Sequence, residues 1–267
     1  MGAGSKRRTA FFVKHPTCCF CGGVKKAETE DHFPSRAIFK DRIWPEGYVF
    51  PACKECNDAT AKHELIIAML SQLYPDSAER THQLQVMALM KSVDNNFPGL
   101  LQSMGRMTAN RKRRWLRERG LSLSPGTTTA DLGVMSIEDS RIQQAARLFA
   151  TKLFLALYYY QTGIILRQAG GVVFRWETNA KDLDQAFPRD VLAPLLQGMP
   201  ELRRANTNLK DQFFYRFAVA DTKNAAAFLA FFNQSLAMLG FVFSDVASVR
   251  VPEGATVLRP FVHANGA

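Results

Sequence analysis

Two Cys-x-x-Cys pairs, Cys18/Cys21 and Cys53/Cys56, constrain this chain more than any other feature of it. Two such pairs bring four thiolates within reach of one tetrahedral ion, and this composition and spacing read as a zinc site rather than a redox pair. Gly22 and Gly23 let the backbone turn tightly beneath the first pair, and Asn57-Asp58 after the second pair can start a helix. The loop between the pairs holds Thr29-Glu30-Asp31-His32-Phe33-Pro34. Four cysteines satisfy a structural zinc, so a carboxylate beside an imidazole calls for a second role.

Cys18-Cys19-Phe20-Cys21-Gly22, Asp31-His32-Phe33-Pro34 and Pro51-Ala52-Cys53-Lys54-Glu55-Cys56-Asn57 together resemble the HNH endonuclease family. The resemblance covers roughly the first 70 residues, and its combined spacing is more specific than any single piece. It implies a ββα-metal finger in which Asp31 and Asn57 hold one Mg2+ or Mn2+, His32 is the general base, and Cys18, Cys21, Cys53 and Cys56 hold a structural Zn2+. Those residue types suit that chemistry. A neutral imidazole can take a proton from water, oxygen donors suit a hard cation, and thiolates suit zinc. Glu46 to Phe50 contains no Asn where the family carries one, and His63 and Glu64 fall near the place of a further helical ligand.

The implied activity is metal-dependent hydrolysis of phosphodiester bonds in DNA by His32-activated water. The alternative is a zinc-stabilised nucleic-acid-binding module without catalysis. Charge favours a polyanionic partner in both cases. The net charge is +10. Through Gly120 there are about 20 Lys and Arg against about 12 Asp and Glu, so most of the excess travels with the metal-site half. Within Leu100 to Arg119, expected as one helix, Arg111, Lys112, Arg113 and Arg114 are candidate phosphate contacts; a solvated basic face is the equally weighted ordinary explanation.

Apolar spacing at Leu65, Ile66, Met69, Leu70 and Leu73 predicts a helix after Asn57, capped at Asp58 or Thr60. A second helix over about residues 78–93 should bury Leu84, Met87 and Ala88. Leu121 to Gly133 lacks periodicity and reads as a linker. Ile137 to Gln161 reads as a long buried helix in which Tyr158, Tyr159 and Tyr160 serve packing, and Pro188 to Gln197 as a short helix. No charge occurs between Lys223 and Asp245, a length that could span a membrane, yet Asn233-Gln234-Ser235 at its middle argues for a hairpin. Strands are therefore expected at Ala225 to Phe232 and Leu236 to Phe243, with Gln212 to Val219 as an antiparallel neighbour and a bulge at Gly240, and Val172 to Trp176 is a separate strand candidate.

The expected fold is α+β: a small zinc-stabilised ββα-metal HNH finger followed by helices, then a C-terminal α+β domain with an antiparallel sheet. The expected divisions are 1–120 for the nuclease domain, 121–136 for the linker and 137–267 for the α+β domain. That last domain offers a surface for homodimerisation or a protein partner. Nucleic acid, DNA in particular, is the expected ligand, with no membrane. The N-terminal apolar run is too short for a signal peptide, and the cysteine usage fits a reducing, cytoplasmic compartment.

Overall fold

The computed structural model describes residues 3–73, 80–105, 107–118, 122–123, 125–126, 128–129, 135–178, 196–233, 235–253 and 255–263. The chain packs as two compact units, Met1–Tyr74 with Ala145–Ala267, and Pro75–Gln144. This grouping differs from the expected 1–120, 121–136 and 137–267. The residues up to Tyr74 group with the long helix and sheet that follow much later, whereas residues 75–144 form the separate insertion. Half of the expected 121–136 linker, and the expected short helix apart from Leu196 and Gln197, lie outside the described residues.

The first unit begins with α1 (Ala3–Lys14), then β1 (Thr29–His32), β2 (Val49–Ala52) and α2 (Lys54–Gln72). β1 and β2 are antiparallel, with Asp31 opposite Phe50 and His32 opposite Val49. α2 starts earlier than Asp58. Cys53 is its N-cap, and the Cys53 carbonyl accepts the Asn57 N–H at 3.2 Å, so the second cysteine pair is itself the first helical turn.

In the second unit α3 (Arg80–Asn96), α4 (Leu100–Gly105) and α5 (Ala109–Glu118) follow. The expected single helix from Leu100 is two, because Thr108 caps a new start: its Oγ1 accepts from Arg111 N at 3.4 Å and its carbonyl from Lys112 N at 3.0 Å. α3 buries Leu89 and Val93, while Leu84 (59 % exposed), Met87 (65 %) and Ala88 face outward, correcting the expected apolar face. Val93 is one turn beyond Leu89, so the inward stripe follows that i, i+4 pair instead.

α6 spans Ser140–Thr162, and its residues from Ala145 onward belong to the first unit and supply its spine. Beside it lies a five-stranded antiparallel sheet of β3 (Gly171–Thr178), β6 (Phe213–Val219), β7 (Ala225–Phe232), β8 (Leu236–Phe243) and β9 (Thr256–Leu258), ordered β6-β7-β8-β3-β9. A separate two-residue hairpin pairs β4 (Arg203–Arg204) with β5 (Thr207–Asn208). The Lys223 to Asp245 stretch is the β7–β8 hairpin as expected, and among the described residues no helix is long and apolar enough to cross a membrane.

Gly240 makes no bulge: the ladder runs unbroken through it, pairing with Phe174 and Phe228. A Cβ there would stand 2.6 Å from the Phe154 ring, so glycine is required by the close approach of α6. Phe149 of α6 touches Phe33 of the finger (centroids 4.9 Å apart) and Phe232 of β7 (5.3 Å). That one ring joins the segment after β1, α6 and the sheet, and truncating it to alanine should cost about 3–5 kcal/mol. The three tyrosines at the end of α6 do serve packing. Tyr158 donates to the Lys223 carbonyl, Tyr159 Oη lies 2.6 Å from His15 Nδ1, and Tyr160 stacks on Tyr48 at 4.8 Å.

Candidate functional site

The sulfurs of Cys18, Cys21, Cys53 and Cys56 lie within 4.8 Å of one another, and all four residues are buried. Gly22 and Gly23, at φ 69° and 75°, make the turn beneath them. Backbone N–H groups of Phe20 and Lys25 point at the sulfurs of Cys18 and Cys21, each at 3.4 Å. Left to themselves the thiols share protons unequally. Hydrogen bonds from Cys18 and Cys56 draw Cys21 down to about 2, burial pushes Cys53 up to about 12, and hydrogen bonding to Cys18 raises Cys56. A divalent cation resolves this by displacing the remaining protons, so the four cysteines fit a structural metal such as zinc. Cys19 stays outside the cluster, buried, with its thiol raised by burial. His263 was not foreseen: its Nε2 lies 3.0 Å from Cys56 Sγ, placed to donate to a thiolate.

Asp31 and His32 are neighbours in sequence and point to opposite faces, as successive strand residues must. Asp31 faces inward. Its Oδ2 lies 2.7 Å from Lys152 Nζ, which also reaches Glu64 Oε1 and Thr60 Oγ1, each at 2.8 Å. Thr60 and Glu64 stand one turn apart on α2 and are themselves hydrogen-bonded at 2.8 Å. Burial raises the Asp31 pKa against the pull of Lys152. For Lys152, burial disfavours the charge, but Asp31 and Glu64 outweigh it and leave its pKa raised, so the ammonium persists.

His32 faces outward into a cavity of about 490 Å³ lined by Arg7, Arg36, Trp44, Glu46 and Arg204 among others. That volume suits a small ligand or a polymer's local segment. The Arg36 guanidinium lies 3.6 Å from the Trp44 ring centroid and that of Arg204 lies 4.3 Å from it, while His32 meets the ring edge-on at 4.9 Å. Cation–π contact holds both arginines in place without consuming their N–H donors. Neither has a carboxylate partner among the described residues; Arg7 lies 3.7 Å from Glu30. Burial lowers the His32 pKa, and Arg36, Arg204 and Arg7 lower it further against the opposing charge of Glu30. The imidazole is thus held neutral within a surplus of positive charge.

Asn57 lies in the first turns of α2, half-buried, and lines no part of the His32 cavity. Glu64 belongs to the Lys152 cluster, and the pKa of half-buried His63 is lowered by burial. On α5 of the second unit, Arg111 pairs with Glu138 and Arg114 with Glu118 (2.7 Å); Arg113 donates to Asn110 at 3.5 Å, and Lys112 is half-buried. Sequence reading missed Lys152, Arg36, Arg204 and Trp44. Only Lys152 left a signal, as a lone charge between Phe149 and Leu153 on an apolar helix, where a charge demands a partner. No protein-family model, curated protein or solved structure matches this chain.

Proposed function

We propose that this protein is an endonuclease that hydrolyses phosphodiester bonds in DNA at the His32 cavity. The observation that supports this reading is the convergence of Arg7, Arg36 and Arg204 around a His32 whose pKa is lowered. Guanidiniums bind phosphate oxygens through paired N–H donors, and a neutral imidazole is the protonation state that accepts a proton from water. In this reading the arginines receive the phosphate while His32 deprotonates the attacking water. The new bond forms between water oxygen and phosphorus, the bond from phosphorus to the departing sugar oxygen breaks, that oxygen takes a proton from solvent, and His32 returns its proton to solvent. The four-cysteine cluster braces β1, β2 and α2 and takes no part in the reaction. Magnesium or manganese held by Asp31 and Asn57 has no support in this arrangement, because neither residue lines the cavity and Asp31 is bound to Lys152.

That same engagement of Asp31 favours a second reading, a zinc-stabilised module that binds nucleic acid without cutting it. Arg111, Lys112, Arg113 and Arg114 fit a backbone contact in either case, since exposed ion pairs such as Arg114 with Glu118 are worth little and can be exchanged for phosphate. Neutralising all four should flatten the salt dependence of binding by about one unit of slope for each phosphate no longer neutralised.

The deciding experiment is cleavage of a plasmid and a labelled duplex by the purified chain. His32→Ala should lower the rate about 100-fold or more while leaving binding intact. A parent protein that binds DNA and never cuts it moves the assignment to the second reading. A parent that does neither removes both.

A further inference from the structure

Lys152 is 1 % exposed, and although burial disfavours its charge, the Asp31 and Glu64 carboxyls beside it raise its pKa. Two of the ammonium's donors go to Glu64 Oε1 and Thr60 Oγ1, and Asp31 Oδ2 lies 2.7 Å from Nζ as an ion pair whose angle does not make a hydrogen bond. The Phe33 and Phe20 ring centroids lie 5.2 and 5.6 Å from Nζ and cover the remaining approach. The oxygens come from β1 and α2, and the cation comes from α6, a helix remote in sequence. Two carboxylates and a hydroxyl converging on one point are the donor chemistry of a hard cation. Without a positive charge at that point the buried carboxylates would carry a prohibitive desolvation cost.

We infer that the Lys152 ammonium is the resident cation of this finger and that Asp31 consequently binds no divalent ion. The position that the family resemblance assigns to magnesium or manganese is filled by a charge covalently attached to the chain. Lys152 is thereby a positioning residue. It fixes Asp31, and through the alternation of β1 it fixes the outward direction of His32. Chemistry in the neighbouring cavity has to meet phosphate charge with Arg7, Arg36 and Arg204 rather than with a metal on Asp31. The inference stands whether or not the chain cuts DNA, and its test uses no cleavage assay.

Mn2+ binding is measured by electron paramagnetic resonance on the full chain in its purified, metal-replete form, for the parent, Asp31→Asn, Lys152→Ala and the double variant Asp31→Asn/Lys152→Ala. The parent should show no site that Asp31→Asn removes. Lys152→Ala empties the cage and should bind one Mn2+ at least about tenfold more tightly than the parent does, and the double variant should return to the parental affinity. A parent site abolished by Asp31→Asn overturns the inference. So does a folded Lys152→Ala protein with parental Mn2+ affinity. Should the variants not fold, crystals of the parent soaked in Mn2+ decide: an anomalous peak at Asp31 refutes the resident ammonium, and its absence beside an ordered Lys152 upholds it.

Discussion

The first unit contains two buried polar clusters that share α2, and they balance charge in opposite ways. The cluster of Cys18, Cys21, Cys53 and Cys56 has only thiol ligands, so ionising all four requires an ion from outside. The cluster of Asp31, Glu64 and Thr60 is met by Lys152, a cation from the chain itself. One cluster should therefore respond to chelators, and the other only to mutation. The difference shows that converging anionic side chains do not identify a metal site until every neighbouring cation has been placed.

Loss of a metal held by the four cysteines is the largest expected effect. Zinc in isolated fingers contributes about 10–16 kcal/mol of apparent folding free energy at neutral pH, so stripping it or making Cys53→Ser should disorder the finger. Elemental analysis should find one zinc per chain, and a strong chelator should lower the parent Tm but leave the Cys53→Ser Tm unchanged. A metal-free chain with the parental Tm would break the comparison at its first arm.

Lys152→Met comes next. It preserves bulk and removes the charge that Asp31 and Glu64 surround, which typically costs about 3–5 kcal/mol for a buried pair. Adding Asp31→Leu and Glu64→Leu should return most of that stability, as urea denaturation would show, because an apolar cluster of similar volume needs no cation. If Lys152→Met alone is as stable as the parent, the ammonium does not balance this cluster.

The outward face of β1 gives smaller effects. Arg36→Ala with Arg204→Ala should weaken DNA binding and reduce the salt slope by about two units, one for each phosphate that the pair neutralises. An unchanged slope would detach both arginines from nucleic acid. The mildest change is in His32 itself. Its pKa should lie below 6.5 in the parent and rise in Arg36→Ala, read from the imidazole resonances. Because the folded value is the lower one, the unfolded chain binds more protons between the two values. The His32 contribution to stability is present above 6.5 and is lost as pH falls through the folded pKa. A base acting in this form keeps its activity to a pH below 6.5, with the acid limb moving upward in Arg36→Ala.

Much of the sheet was legible from local pattern. The uncharged run after Lys223, broken by Asn233-Gln234-Ser235, became β7 and β8 within the expected residues because alternation and turn chemistry are local properties. Gly240 illustrates the opposite case: a strand glycine suits a bulge or a close approach, and only the position of Phe154 chose between them. The outward Leu84 and Met87 of α3 escape sequence reading for a related reason, since a helix with apolar residues on several sides does not announce which side is covered.

The sequence by itself determined the thiolate cluster. Its ligands come as two close pairs with their glycine turn attached, so short-range geometry brings each pair together and one ion can join them. The tertiary structure alone decided the surroundings of Asp31 and His32. Strand alternation sends adjacent side chains to opposite faces, and what waits on each face comes from far along the chain: Lys152 from α6 on one side, Arg204 from the β4–β5 hairpin on the other. Charge interactions act through space, and a spacing motif carries no information about the distant residue that will answer it.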